Sequence, residues 1–151
     1  MSSPLSRSLP RGGWFSRAEY ESLAEFRYRL ARFLRRRKDA ALEEGLQPQQ
    51  YELLLAVSGL PAGADPTIKE IASQLCLEHH TVVELADRLE KRGLLARRPS
   101  GADRRVVLLR LTRTGQGVLS RIVQFSFGQL RDEAPELIRS LRRILQKPKR
   151  S

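Results

Sequence analysis

The sequence predicts a mainly α-helical fold with one small β-hairpin, and three observations carry that expectation. Ile71, Leu75, Leu77, Val82 and Leu85 are spaced so that two short helices joined by a tight turn share one apolar core. After them, Leu94 to Arg98 and Arg105 to Leu111 are strand-like runs facing each other across a Pro-Ser-Gly-Ala tip. Apolar stripes at helical spacing occupy both ends of the chain, with Leu23, Phe26, Leu30 and Phe33 in one and Leu137, Ile138, Leu141, Ile144 and Leu145 in the other. The central pattern is that of a winged helix-turn-helix, in which the second helix offers its outer face to a DNA major groove and the hairpin is the wing.

Each element follows from local signals. Residues 1–15 hold Pro4, Pro10, Gly12 and Gly13 among scattered apolar groups, so a flexible N-terminal tail is expected, with Trp14 and Phe15 anchoring the point where order begins. A helix starts at Ser16 and ends at Gly45, its seam widened by Tyr20 and Leu34. Pro48 suits the first turn of the next helix, which sends Tyr51, Leu54 and Leu55 inward before the breakers of residues 59–66. Thr67 and Glu70 have capping-box spacing, so the first helix of the helix-turn-helix opens there and runs to about Leu75. The second runs from about His79 to Arg92 and is closed by Gly93, with Leu94 as the hydrophobic contact beyond the cap. After the hairpin, Thr112 caps a helix containing Val118, Leu119, Ile122, Val123 and Leu130, and a separate last helix is expected after Pro135. The end helices carry more apolar surface than the central module needs, which predicts that they pair two subunits into a homodimer. The expected division is residues 46–112 as the DNA-binding domain, with residues 16–45 and 113–151 forming a helical dimerisation region.

Composition narrows the function. The chain has 151 residues, enough for one core, and a formal net charge of +11, which calls for an anionic partner. Counterion release from DNA phosphates is the strongest common use of such a surplus. Between Arg97 and Arg113 there are six arginines and one aspartate, a local +5. Seven more bases and no acid lie between Arg27 and Lys38, a run that is most often a solvated face. One cysteine excludes an intramolecular disulfide. No apolar run approaches the roughly 20 residues of a membrane span, and residues 1–13 have no apolar secretion core, so a cytoplasmic location is expected. There is no phosphate-binding glycine loop, metal-protease histidine pair or nucleophile elbow, so neither an enzyme nor a cofactor is expected.

From Leu85 to Gly115 the chain resembles the MarR family of transcriptional regulators. The resemblance is most specific in Asp87-Arg88-Leu89-Glu90-Lys91-Arg92-Gly93-Leu94, followed by Asp103-x-Arg105, Leu109-x-Leu111-Thr112 and Gly115. It implies a dimer that binds an inverted-repeat operator, with recognition helices in successive major grooves and wing arginines in the flanking minor grooves. It also implies a repressor released by a small aromatic or acidic molecule or by oxidation. By the same motif Arg105 is the minor-groove arginine and Asp103 the residue that orients it, in keeping with the negative potential of a narrow groove.

Around these, the candidate DNA contacts are His79, His80 and Thr81 at the start of the recognition helix, Glu84 and Arg88 along it, and Arg97, Arg98 and Arg104 on the wing. Glu84 either accepts from cytosine or pairs with Arg88 one turn away. Effector pockets in similar proteins lie between the first helix, the second and the helix after the wing. That makes Arg29 or Arg36 candidates to meet an acidic ligand, with Tyr20 and Tyr51 lining the site or else belonging to core or interface. Cys76 stands at a turn position often held by glycine, and a buried or turn-packed thiol is its default role. With His79 and His80 it supplies three zinc ligands where a structural site takes four, so no metal is expected. The main rival is a sequence-indifferent architectural DNA-binding protein, and the other is a winged helix that binds only protein.

Overall fold

The computed structural model describes residues 15–146; of the tail expected at 1–15, residues 1–14, including Trp14, lie outside them, as do residues 147–151. Seven elements follow in order: α1 (Arg17–Glu43), α2 (Pro48–Ser58), α3 (Ile68–Leu75), α4 (His79–Lys91), β1 (Leu95–Pro99), β2 (Val107–Leu111) and α5 (Arg113–Leu145). The mainly α fold with a small hairpin wing is as the sequence predicts.

Local chemistry sets most boundaries. Ser16 caps α1 in a complete capping box, its hydroxyl accepting from Glu19 N while its own N–H donates to the Glu19 carboxylate. Pro48 opens α2, where a backbone N–H has no helical partner to lose. Thr67 caps α3 through Glu70 N at 3.1 Å, but the expected box is only half made, because the Glu70 carboxylate accepts from Gln74 instead. Gly93 ends α4 at φ +70, a conformation free of steric cost only without a Cβ.

The core lies where α2, α3 and α4 meet the hairpin and the first turns of α5. Leu53, Leu54, Ile71, Val82, Leu89, Leu95 and Leu109 are all fully buried there, together with Leu46 and Ile122. Each such side chain contributes about 1.5–3 kcal/mol by leaving water.

β1 and β2 pair antiparallel from Leu95 opposite Leu111 to Pro99 opposite Val107. Arg105 and Val106, expected in the second strand, belong to the turn, where Val106 N donates to Asp103 O and its carbonyl accepts from Ser100 N. On its other edge β2 meets the chain before α3: Leu109 N donates to Pro66 O at 2.8 Å, and Thr67 bridges Leu108. The wing is therefore fastened to the residue that caps the helix-turn-helix.

α1 and α5 run antiparallel against each other. The separate last helix is corrected: α5 is one helix through Pro135. The proline removes one N–H, but ion pairs to α1 are made on both of its sides, Arg36 with Glu133 before it and Arg29–Glu136 and Arg143–Glu25 after it. Packing along one long partner outweighs the loss of one intrahelical bond.

Candidate nucleic-acid interface

Two surfaces meet on one side of the core. On α4, Val82, Leu85, Ala86 and Leu89 are buried, which turns His79, His80, Glu84 and Arg88 to solvent, while Thr81 is half-buried. His80, Glu84 and Arg88 recur every four residues and so share one ridge. Glu84 and Arg88 make no ion pair with each other or with any other described residue, which leaves both free for a partner.

The wing supplies the second surface. The Arg105 side chain is 93% exposed. Its backbone is held, because Arg105 N donates to Asp103 Oδ1 at 3.0 Å and Nε lies 3.5 Å from the same oxygen. Asp103 thus fixes the turn that carries the arginine, while most of the guanidinium stays in solvent. Arg98 and Arg104 are exposed as well.

Arg97 is placed differently from its neighbour. Strand residues alternate faces, and where Arg98 points to solvent Arg97 turns back to α4, with Nη2 2.6 Å from Asp87 Oδ1 and Nη1 3.5 Å from Glu90 Oε1. No sequence signal separated these two adjacent arginines beyond the alternation itself.

The base of the wing is tied to α5 at one corner. Thr112 caps α5 through Gly115 N, and its hydroxyl donates to Gly93 O at 2.5 Å. Thr112 N donates to Leu94 O at 3.1 Å, and a Cβ on Gly115 would lie 2.0 Å from that same oxygen. Only glycine lets α5 cross the chain there. At this same C-terminal end of α4, Arg92 donates to Gly45 O at 2.6 Å, joining the helix to the corner between α1 and α2.

The turn between α3 and α4 holds Cys76 at φ 54, the left-handed conformation that makes glycine common there, and the thiol is exposed, not packed. No cluster of three metal-ligating side chains occurs among the described residues.

The four expected effector residues do not share one site: Arg29 and Arg36 line a cavity of about 280 Å³ against α5, and Tyr20 and Tyr51 lie outside it. Arg29 and Arg36 face α5 and are taken by Glu136 and Glu133, and Tyr20 is exposed with its ring edge-on to Phe15. Tyr51 alone lines a sizeable groove, about 860 Å³, between α1, α2 and the end of α3. Beside it is a residue that the sequence did not single out: Arg37 donates to the Tyr51 hydroxyl at 2.6 Å, and its guanidinium lies over the rings of Phe33 and Tyr51. Within the run of bases from Arg27 to Lys38, nothing in the sequence marks which of them turn inward.

Comparison with known proteins agrees with this geometry. Residues 44–106 match the MarR family. The transcriptional regulator PecS of Dickeya dadantii is 31% identical over 81 residues, 52% of this chain and 48% of PecS. The chain spans about half the length of the curated relatives it matches. Among solved structures, AbsC of Streptomyces coelicolor, a MarR family transcriptional regulator, superposes with a TM-score of 0.70 at 18% identity, over 89% of this chain and 94% of AbsC. The transcriptional repressor CouR, bound to a 23-mer DNA duplex, superposes with a TM-score of 0.63 at 28% identity, over 88% of this chain and 94% of CouR. With its helix-turn-helix, its wing and the Thr112–Gly115 corner all in place, the chain carries, at residues 44–106, a domain that matches the MarR family.

Proposed function

We propose that this chain is a sequence-specific DNA-binding transcriptional regulator that grips a palindromic operator as a homodimer, acting as a repressor released by a small acidic aromatic effector. The observation that carries the reading is the pairing of a free ridge on α4, His80, Glu84 and Arg88, with the solvent-exposed Arg105 on the wing. A helix ridge of donors and acceptors suits the edges of bases in the major groove, and a protruding guanidinium suits the minor groove. That CouR is seen on a DNA duplex supports it. His79, Thr81, Arg98 and Arg104 extend the contact surface, and residues 46–112 form the DNA-binding domain.

The dimer reading, which assigns residues 16–45 and 113–151 to dimerisation, rests on the outer faces of the long helices α1 and α5. Phe127, Ile138, Leu141 and Leu145 are exposed, and at 3.6 residues per turn they fall within about 60° of one another, a single apolar stripe along α5. Leu23 and Leu34 share a face of α1 in the same way. Large apolar stripes of this kind are covered in a functional assembly.

The effector reading moves from Arg29 and Arg36 to Arg37 and Tyr51. Arg37 has no carboxylate partner among the described residues, its Nε is buried without a hydrogen bond, and Leu34, Leu55 and Ala56 give the same groove an apolar wall. An aromatic carboxylate matches both halves of that lining.

Selection of bound fragments from genomic DNA, followed by footprinting, tests the function. A discrete protected palindrome is expected. Uniform coating of any duplex would instead establish an architectural protein, and absence of salt-dependent DNA affinity a protein-binding winged helix.

A further inference from the structure

We infer that Arg97 is a positioning residue that sets the angle between the recognition helix and the wing, and not one of the wing's DNA contacts. The inference rests on the DNA-binding reading above and departs from the expectation that Arg97 contacts DNA.

The geometry is a two-pronged clamp. Asp87 and Glu90 are three residues apart on α4, hence on one face, and the planar guanidinium of Arg97 reaches Asp87 Oδ1 at 2.6 Å with one nitrogen and Glu90 Oε1 at 3.5 Å with another. The Arg97 side chain is 28% exposed, against 93% for Arg105. Three features make this an orienting contact. Arg97 lies in β1 opposite Leu109, a fully buried residue of β2, so its backbone is fixed by the hairpin ladder. Asp87 and Glu90 lie one turn or less from Arg88, a free member of the α4 ridge, so the clamp acts on the stretch of helix that faces the partner. The chain between them turns at Gly93, whose φ of +70 gives a single-residue corner with no side chain to brace it. The ion pairs close a triangle of which that corner is the apex.

Charge leads to the same conclusion. Two carboxylates face one guanidinium, so the cluster contributes about one net negative charge on the α4 side of the wing. Breaking it to offer Arg97 to phosphate would leave Asp87 and Glu90 facing the same backbone, a repulsion that offsets the contact.

The test compares Arg97→Gln, Asp87→Asn and Arg98→Gln in the full chain, with two duplexes as probes: the one selected from random DNA and an unrelated one of equal length. Affinities are measured across a range of salt. The clamp predicts that Arg97→Gln and Asp87→Asn each lower the ratio of selected to unrelated affinity by roughly tenfold, that the double variant loses no more than either, and that the salt slope stays as in the unaltered chain. Arg98→Gln is the contrast: it should lower both affinities and reduce the slope by about 0.9 for each phosphate that is no longer neutralised. A loss of stability alone would lower both affinities together and leave their ratio in place, so the ratio separates positioning from folding.

The opposite sign overturns the inference. If Arg97 is a phosphate contact, Arg97→Gln reduces the salt slope and leaves the ratio intact, while Asp87→Asn releases the arginine, removes a repelling carboxylate and tightens binding to both duplexes. Failure of the unaltered chain to bind either duplex would overturn the DNA-binding function itself, a result distinct from any pattern among the variants.

Discussion

Replacing Gly115 by alanine tests how rigidly α5 is seated on the wing. The new Cβ would lie 2.0 Å from Leu94 O, 2.9 Å from its carbonyl carbon and 3.2 Å from its Cα. Ordinary carbon–oxygen contacts begin near roughly 3.3 Å, so the two segments must part by more than about 1 Å. All three atoms belong to the main chain, and no rotamer change relieves the clash. Leu94 O also accepts from Thr112 N, the residue that caps α5, so the displacement loosens that bond too. Overpacking of this kind costs about 1–3 kcal/mol and the hydrogen bond about 1 kcal/mol more. Removing a glycine from a helix returns about 0.5–1 kcal/mol, which leaves a net destabilisation of about 1–3.5 kcal/mol. Gly128 provides the control, since it lies on the same helix and nothing is within 4 Å of its Cβ position. Gly128→Ala should therefore stabilise by about 0.5–1 kcal/mol, with the opposite sign for the same substitution. Urea unfolding followed by circular dichroism at one fixed protein concentration measures both, because an assembly's midpoint depends on concentration. Equal midpoints for Gly115→Ala and the unaltered chain would refute the close crossing of α5 over Leu94.

Three further outcomes are expected. Arg105→Ala should weaken binding to the selected duplex by about 1–3 kcal/mol while the thermal unfolding curve stays in place, since its side chain is 93% exposed; fluorescence anisotropy reads the first and calorimetry the second. Leu141→Asp should convert a dimer into a monomer and lower operator affinity with it, because a carboxylate forced into an apolar interface costs several kcal/mol; light scattering decides, and an unaltered chain that is already monomeric while binding DNA would dismiss the α5 stripe as an interface. Arg37→Gln should abolish release from DNA by benzoate-class acids with little change in DNA affinity, whereas Arg29→Gln, whose native partner is Glu136, should not; release that survives in Arg37→Gln would remove the groove beside Tyr51 from the effector reading.

The local skeleton was legible in the sequence because its signals act within about four residues along the chain. Ser16 with Glu19, Pro48, Thr67 and Gly93 mark helix ends through hydrogen bonds or dihedral angles that each residue largely settles with its near neighbours. The buried face of α4 followed from periodicity alone, and with it the free ridge of His80, Glu84 and Arg88. Tertiary structure decided what periodicity does not encode, namely which of many like residues finds a partner. Arg29 and Arg36 find carboxylates on α5, Arg37 finds an aromatic groove, and Arg97 turns back to α4 while adjacent Arg98 faces solvent. All five are the same residue type in basic surroundings, and only the docking of one element on another distinguishes them. The same holds for backbone: the Pro66–Leu109 pairing joins segments about forty residues apart, and α5 continues through Pro135 because α1 packs against both halves. A proline's lost hydrogen bond is a local cost that the sequence announces, whereas the long-range contacts that outweigh it exist only once the helices have met.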